Sequence, residues 1–150
     1  MKPIFLLLPL LLPTLGAHAP LPEPTPLLYH PFEARAGALP EVELTALLRS
    51  AREYEALVGR PPPPGIDFAR EWVVFYGGGL QLSPHAQASI VGIELTEGGH
   101  ALRVQTVLAV QAPGLVPVRG RCIPFAVATI ARPRGEIHAL RTEHSYVVLL

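Results

Sequence analysis

Ile66-Asp67-Phe68-Ala69-Arg70-Glu71-Trp72-Val73-Val74-Phe75-Tyr76-Gly77-Gly78-Gly79 holds the only tryptophan of the 150-residue chain and two of its five phenylalanines. Trp72 to Tyr76 are five large apolar or aromatic residues in a row. A run that short, rich in β-branched and aromatic side chains and closed by glycines, predicts a strand apolar on both faces. Such a strand sits in the middle of a sheet and is covered on each side. Asp67, Phe68, Arg70 and Glu71 set charges around an aromatic where the chain enters this strand.

The chain opens differently. Met1-Lys2 supplies a positive charge, Ile4 to Leu15 is almost entirely Leu, Phe, Ile and Pro, and Gly16-Ala17-His18-Ala19 follows. A basic start, a short apolar core and small residues read as an export signal over residues 1–19. The apolar run is short and broken by proline, so it does not suit a bilayer span. Cleavage after Gly16, Ala17 or Ala19 fits the pattern. No cysteine lies nearby to carry a lipid, so no stable membrane anchor is expected. Pro20, Pro22, Pro24, Pro26 and Pro31 make residues 20–31 a stiff extended tether, with Leu27-Leu28-Tyr29 able to join the fold. Residues 32–150 are expected to form one domain with one modest core.

Lys2 is the only lysine, so the mature chain balances 11 arginines against 12 acids. A near-neutral surface leaves no footprint for nucleic acid and no polybasic membrane patch. The expected location is outside the cytoplasm: periplasmic, cell-surface or extracellular. Cys122 is the only cysteine, so no internal disulfide can form. It reads as a buried thiol, with an intermolecular bridge as the alternative.

Phe32 to Ala36 alternates weakly and predicts a first strand. Val42, Leu44, Ala46 and Leu48 have strand spacing, while Leu44, Leu47, Leu48 and Ala51 have helical spacing. A helix start directly after them favours the strand. Ser50-Ala51-Arg52-Glu53 is a capping box, and Gly59 suits a helix end, so one helix is expected over 51–58. Residues 88–95 predict a strand with a bulge near Ile90-Val91, paired as a hairpin with 101–111 through Glu97-Gly98-Gly99. Leu102, Val104, Thr106, Leu108 and Val110 mark the inner face of the second strand, and Arg103, Gln105 and Gln111 its outer face. Ile123 to Ala131 predicts another strand, and Gly135 to Leu150 one or two more. The expected class is mainly β with one short helix, an antiparallel sandwich or partly open barrel.

No reaction is announced. Gly77-Gly78-Gly79 lacks the lysine and helix start of a phosphate loop and reads as a strand exit. His138 and His144, six residues apart on one strand, would be roughly 20 Å apart, too far for one metal. Ser83 and His85 have no acid to orient the imidazole and no nucleophile elbow. No catalytic residue, metal or cofactor is expected.

From about Phe32 onward the chain resembles the family named for the C-terminal domain of PrcB, an accessory subunit of a secreted spirochaete protease complex. The residues that carry the likeness are the capped helix Ser50-Ala51-Arg52-Glu53-Tyr54, the Pro-rich link and the Asp-Phe-x-basic-Glu-hydrophobic stretch Asp67 to Trp72. Gly77, the Glu97-Gly98-Gly99 hairpin and the step Pro124-Phe125 extend it. The family has a Thr-Gly-Gly-Tyr-like loop where this chain has Leu82-Ser83-Pro84-His85-Ala86-Gln87-Ala88. The resemblance implies an exported, non-catalytic module that associates with or stabilises another protein, with a secreted protease as the candidate partner. Loops on a rigid β scaffold carry contacts, which points to Leu82, Ser83, Pro84, His85, Ala86 and Gln87, and to the loop at 112–121. The rival readings are a secreted protease inhibitor acting through those loops and a small-ligand-binding domain.

Overall fold

The computed structural model describes residues 22–112 and 120–149. The expected signal peptide, the first two residues of the tether and positions 113–119 of the second loop lie outside the described residues. In chain order the elements are β1 (Thr25–Pro26), β2 (Tyr29–Pro31), β3 (Glu43–Leu48), α1 (Ala51–Val58), β4 (Glu71–Gly78), β5 (Gln87–Thr96), β6 (Ala101–Gln111), β7 (Phe125–Ala131) and β8 (Ala139–Leu149). They form two four-stranded sheets, ordered β1-β5-β6-β8 and β2-β7-β4-β3. The result is a β-sandwich with no closed barrel.

β4 lies between β7 and β3 in the second sheet, the central place its apolar run predicts. Its two faces serve different layers. Trp72, Val74 and Tyr76 pack with Ile90, Ile93, Leu102, Val104, Ala128 and Ile130 in the core between the sheets. Val73 and Phe75 pack on the opposite side with Tyr54 and Val58 of the helix and with Val127. A strand covered by a sheet on one side and a helix on the other must be apolar at every position, so the alternation of a half-exposed strand is lost.

The helix runs as its capping residues dictate. Ser50 Oγ accepts the Glu53 backbone N–H at 3.2 Å, and the Glu53 carboxylate accepts the N–H of Arg49, one residue earlier than a capping box requires. Gly59, at φ 73°, closes the helix in the left-handed region and donates its N–H to Glu55 O. Gly79, at φ 68°, does the same for the exit from β4.

The β5–β6 hairpin is antiparallel, and its register shifts between Ile90 and Gly92, which is the expected bulge. Three features differ from the sequence expectations. Phe32 to Ala36 form no strand; their burial alternates, but the ladder with β7 is made by Tyr29 to Pro31. Thr25-Pro26 pair with β5, so the later half of the Pro-rich stretch joins both sheets as their outer strands. Proline is tolerated there because its missing N–H costs nothing at an edge. Finally, β8 runs parallel to β6 over eleven residue pairs, from Ala101↔Ala139 to Gln111↔Leu149. The chain leaves β7 in the second sheet, crosses at 132–138 and enters the first sheet beside the start of β6.

Candidate functional site

The predicted loop leaves β4 at Gly79 and is pinned from below. Gln81 and Cys122 exchange backbone hydrogen bonds, Gln81 N–H to Cys122 O at 2.8 Å and the reverse at 3.1 Å. The Cys122 thiol donates to Ser83 O at 2.9 Å, which is its use in this structure. The His85 N–H lies 3.3 Å from Ser83 Oγ, a local turn contact. Leu82 is 76% exposed, His85 and Gln87 are exposed, Ser83 and Pro84 are half-buried, and Ala86 is buried. Gly120 approaches Pro84 closely enough that a Cβ there would come within 3.1 Å of the proline ring. Gly120, at the described end of the second loop, therefore lies beside Pro84 of the first.

Strand register shows what else shares this end. Gln87 pairs with Ala109, and Ala109 pairs with Val147. Glu43 at the start of β3 pairs with Gly78 at the end of β4. Among the described residues, the eight exposed large apolar ones include Val42, Leu82, Tyr146, Val147, Val148 and Leu149, all six at this end; Leu28 and Val91 lie elsewhere. Tyr146 is 60% and Val148 55% exposed. Their strand, β8, is an edge with a hydrogen-bonding partner on one side only.

Beside this surface a polar cluster joins the two sheets. Glu43 Oε1 accepts from the Tyr76 hydroxyl at 2.8 Å, and Oε2 from the Tyr146 hydroxyl at 2.7 Å. His144 Nδ1 lies 3.1 Å from Glu43 Oε1 and 2.8 Å from Thr106 Oγ1. Thr106 Oγ1 and His144 Nδ1 share a hydrogen bond, Thr106 Oγ1 also reaches Glu143 O at 3.5 Å, and the imidazole sits beside the Glu43 carboxylate. The Tyr76 phenol is held well above its ordinary range, first by burial and then by the hydrogen bond and charge of Glu43. The Tyr146 phenol is raised chiefly by its hydrogen bond to Glu43. With both oxygens of Glu43 already accepting, the arrangement is a clamp between β3 and β8.

The residues carrying the family resemblance are structural. Asp67 O accepts the N–H groups of Arg70 and Glu71, and its Oδ1 accepts that of Ala69 at 3.0 Å. The Asp67–Arg70 ion pair spans 3.6 Å on the surface. Phe68 packs half-buried under α1, and Glu71 opens β4 opposite Ala131. Gly77 sits beneath the Phe75 ring. Pro124 O accepts from Gly78 N–H, and Phe125 stacks on Phe75 with centroids 6.0 Å apart. His138 stacks on His100 with centroids 5.7 Å apart, so it and His144 belong to different neighbourhoods.

Sequence reasoning missed the Glu43 clamp. One signal was available: Thr106 interrupts an otherwise aliphatic inner face, and a buried hydroxyl implies a partner. No protein-family model matches the chain, and neither does any curated protein or any solved structure.

Proposed function

We propose that this chain is an exported, non-catalytic binding or accessory module, which associates with another protein through the loop end of its sandwich. The observation that carries this reading is the gathering of six exposed large apolar side chains at that end. Scattered singly, such residues mean little; gathered at one end of a rigid scaffold, with Tyr146 and Val148 on one face of β8 and Val147 and Leu149 on the other, they mark a contact surface that wraps this edge strand. The resemblance to the PrcB C-terminal domain family supports the same reading, with a secreted protease as the partner.

The test uses Leu82→Asp combined with Val148→Asp. Both positions are exposed, so stability should change by no more than about 0.5 kcal/mol each. Parent and variant are used to capture proteins from the native envelope or culture fluid, and the captured species are identified by mass spectrometry. The expected result is one defined partner recovered with the parent and lost with the variant. Equal recovery by both would rule out the loop end. A panel of secreted proteases assayed with the parent then separates an accessory subunit, which leaves turnover intact, from an inhibitor.

A further inference from the structure

The end of the sandwich opposite the loops has a different chemistry. Arg49 follows β3, Trp72 is the second residue of β4, and Arg132 and Arg134 follow β7. The pairings Leu48↔Val73 and Trp72↔Ile130 bring them together. They line a cavity of about 500 Å³ with Glu136 and Ile137, a volume within the range of small-ligand sites. Trp72 is only 7% exposed. The guanidinium carbon of Arg49 lies 5.0 Å from its ring centroid, and that of Arg132 lies 5.7 Å away. Both distances permit cation–π attraction.

Stacking engages the face of a guanidinium and leaves its N–H edges free for an acceptor. Arg49 spends one donor on Ile137 O at 2.9 Å. Among the described residues, none of Arg49, Arg132 and Arg134 has a carboxylate within 4.0 Å, whereas Arg70, Arg103 and Arg141 each do. The lining thus holds three guanidinium groups against the single carboxylate of Glu136, an excess of two positive charges. Arg49 and Arg132 are exposed residues, and their contacts with the buried indole restrict them, which reduces the ordering cost of binding through them.

We infer that this cavity binds a dianionic oxyanion group, a phosphate monoester or a dicarboxylate, through Arg49, Arg132 and Arg134 beside Trp72. A guanidinium can offer paired N–H donors to a planar or tetrahedral oxyanion, and Arg49 and Arg132 both line this cavity. Arg134, on the exposed turn after β7, adds a third guanidinium to the lining. The site is independent of the loop end, so either can fail without the other.

The purified protein is titrated by calorimetry with inorganic phosphate, phosphoserine and succinate at low ionic strength, with Trp72 fluorescence as a second readout. The expected result is binding of at least one dianion with a Kd of about 1 mM or tighter, together with a change in Trp72 emission. Phosphate and phosphoserine binding without succinate assigns a phosphate ligand; the converse assigns a dicarboxylate. Arg132→Gln and Arg134→Gln should each weaken binding by about threefold or more, and raised salt should weaken it too. If Arg132→Gln fails to fold, Arg134→Gln, an exposed turn position, decides alone. Weaker binding than that by all three dianions, or a folded variant binding within about threefold of the parent, would overturn the inference.

Discussion

At Glu43 one carboxylate accepts from two phenols, with the His144 imidazole beside it, and so ties β3 of one sheet to β8 of the other. Tyr76 is the buried member of this set. Tyr76→Phe keeps the ring and removes only the hydroxyl, so its cost should reflect one hydrogen bond to a charged group, about 1.5–3 kcal/mol by chemical denaturation. The same phenol makes stability depend on pH. Its folded value is raised above that of the unfolded chain, so the folded state keeps a proton that the unfolded state releases. That stability is fully present below the ordinary tyrosine value of about 10 and is lost as pH rises beyond it. Melting temperatures measured across the alkaline range should fall, and should fall less steeply in Tyr76→Phe. An equal slope in both proteins would show that Tyr76 is not the group responsible. Trp72 matters through volume. Removing it from between the sheets should cost about 3–5 kcal/mol, a large share of the roughly 5–15 kcal/mol available to a domain.

Elements differ in how openly their sequences declare them. β4 was legible because a five-residue apolar and aromatic run admits few alternatives, and α1 because Ser50, Glu53 and Gly59 mark both its ends. The bulge in β5 showed as a switch of polar parity at Ile90-Val91. β1 and β2 were hidden, since prolines deplete the usual strand signal and are allowed only because these strands lie at the sheet edges. The parallel pairing of β8 was hidden for another reason. Alternation reports which face is buried and carries no information on strand direction. At this scale Ser50→Ala should cost about 1 kcal/mol through the lost cap. The loop tests a second balance. Ala86 is buried and Ser83 O accepts the Cys122 thiol, so exchanging Leu82 to Gln87 for a Gly/Ser segment should lower the melting temperature slightly and leave the fold intact. Unfolding on this exchange would make the loop part of the core.

The whole molecule has two chemically distinct ends, apolar at the loops and cationic around Trp72. Neither was legible in the sequence, because each gathers residues far apart along it: 42, 82 and 146–149 at one end, 49, 72, 132 and 134 at the other. Only the sheet register brings them together. The loop at 82–87 was found because turn residues cluster locally, while its neighbours on β8 read simply as a terminal apolar run. This division implies that stability and recognition can be separated in β8. Its first half is tied in: Leu140 packs against the core, Glu143 meets Arg103, and His144 meets Glu43. Its second half, Tyr146 to Leu149, is exposed and contributes the ladder to Leu108–Gln111 and one hydroxyl on Glu43. Ending the chain after Ser145 should therefore leave a cooperative but lower thermal transition, with near-ultraviolet circular dichroism retained. Ending it after His138 should leave no cooperative transition, since β6 then loses its whole outer neighbour and Glu43 loses the Tyr146 hydroxyl and the adjacent His144. If recognition lies at the loop end, the shorter deletion should already abolish capture of the partner while the fold survives. Capture that persists after that deletion, with Leu82 intact, would place the contact on the loop rather than on β8. Loss of the cooperative transition would show that the exposed half of β8 is structural.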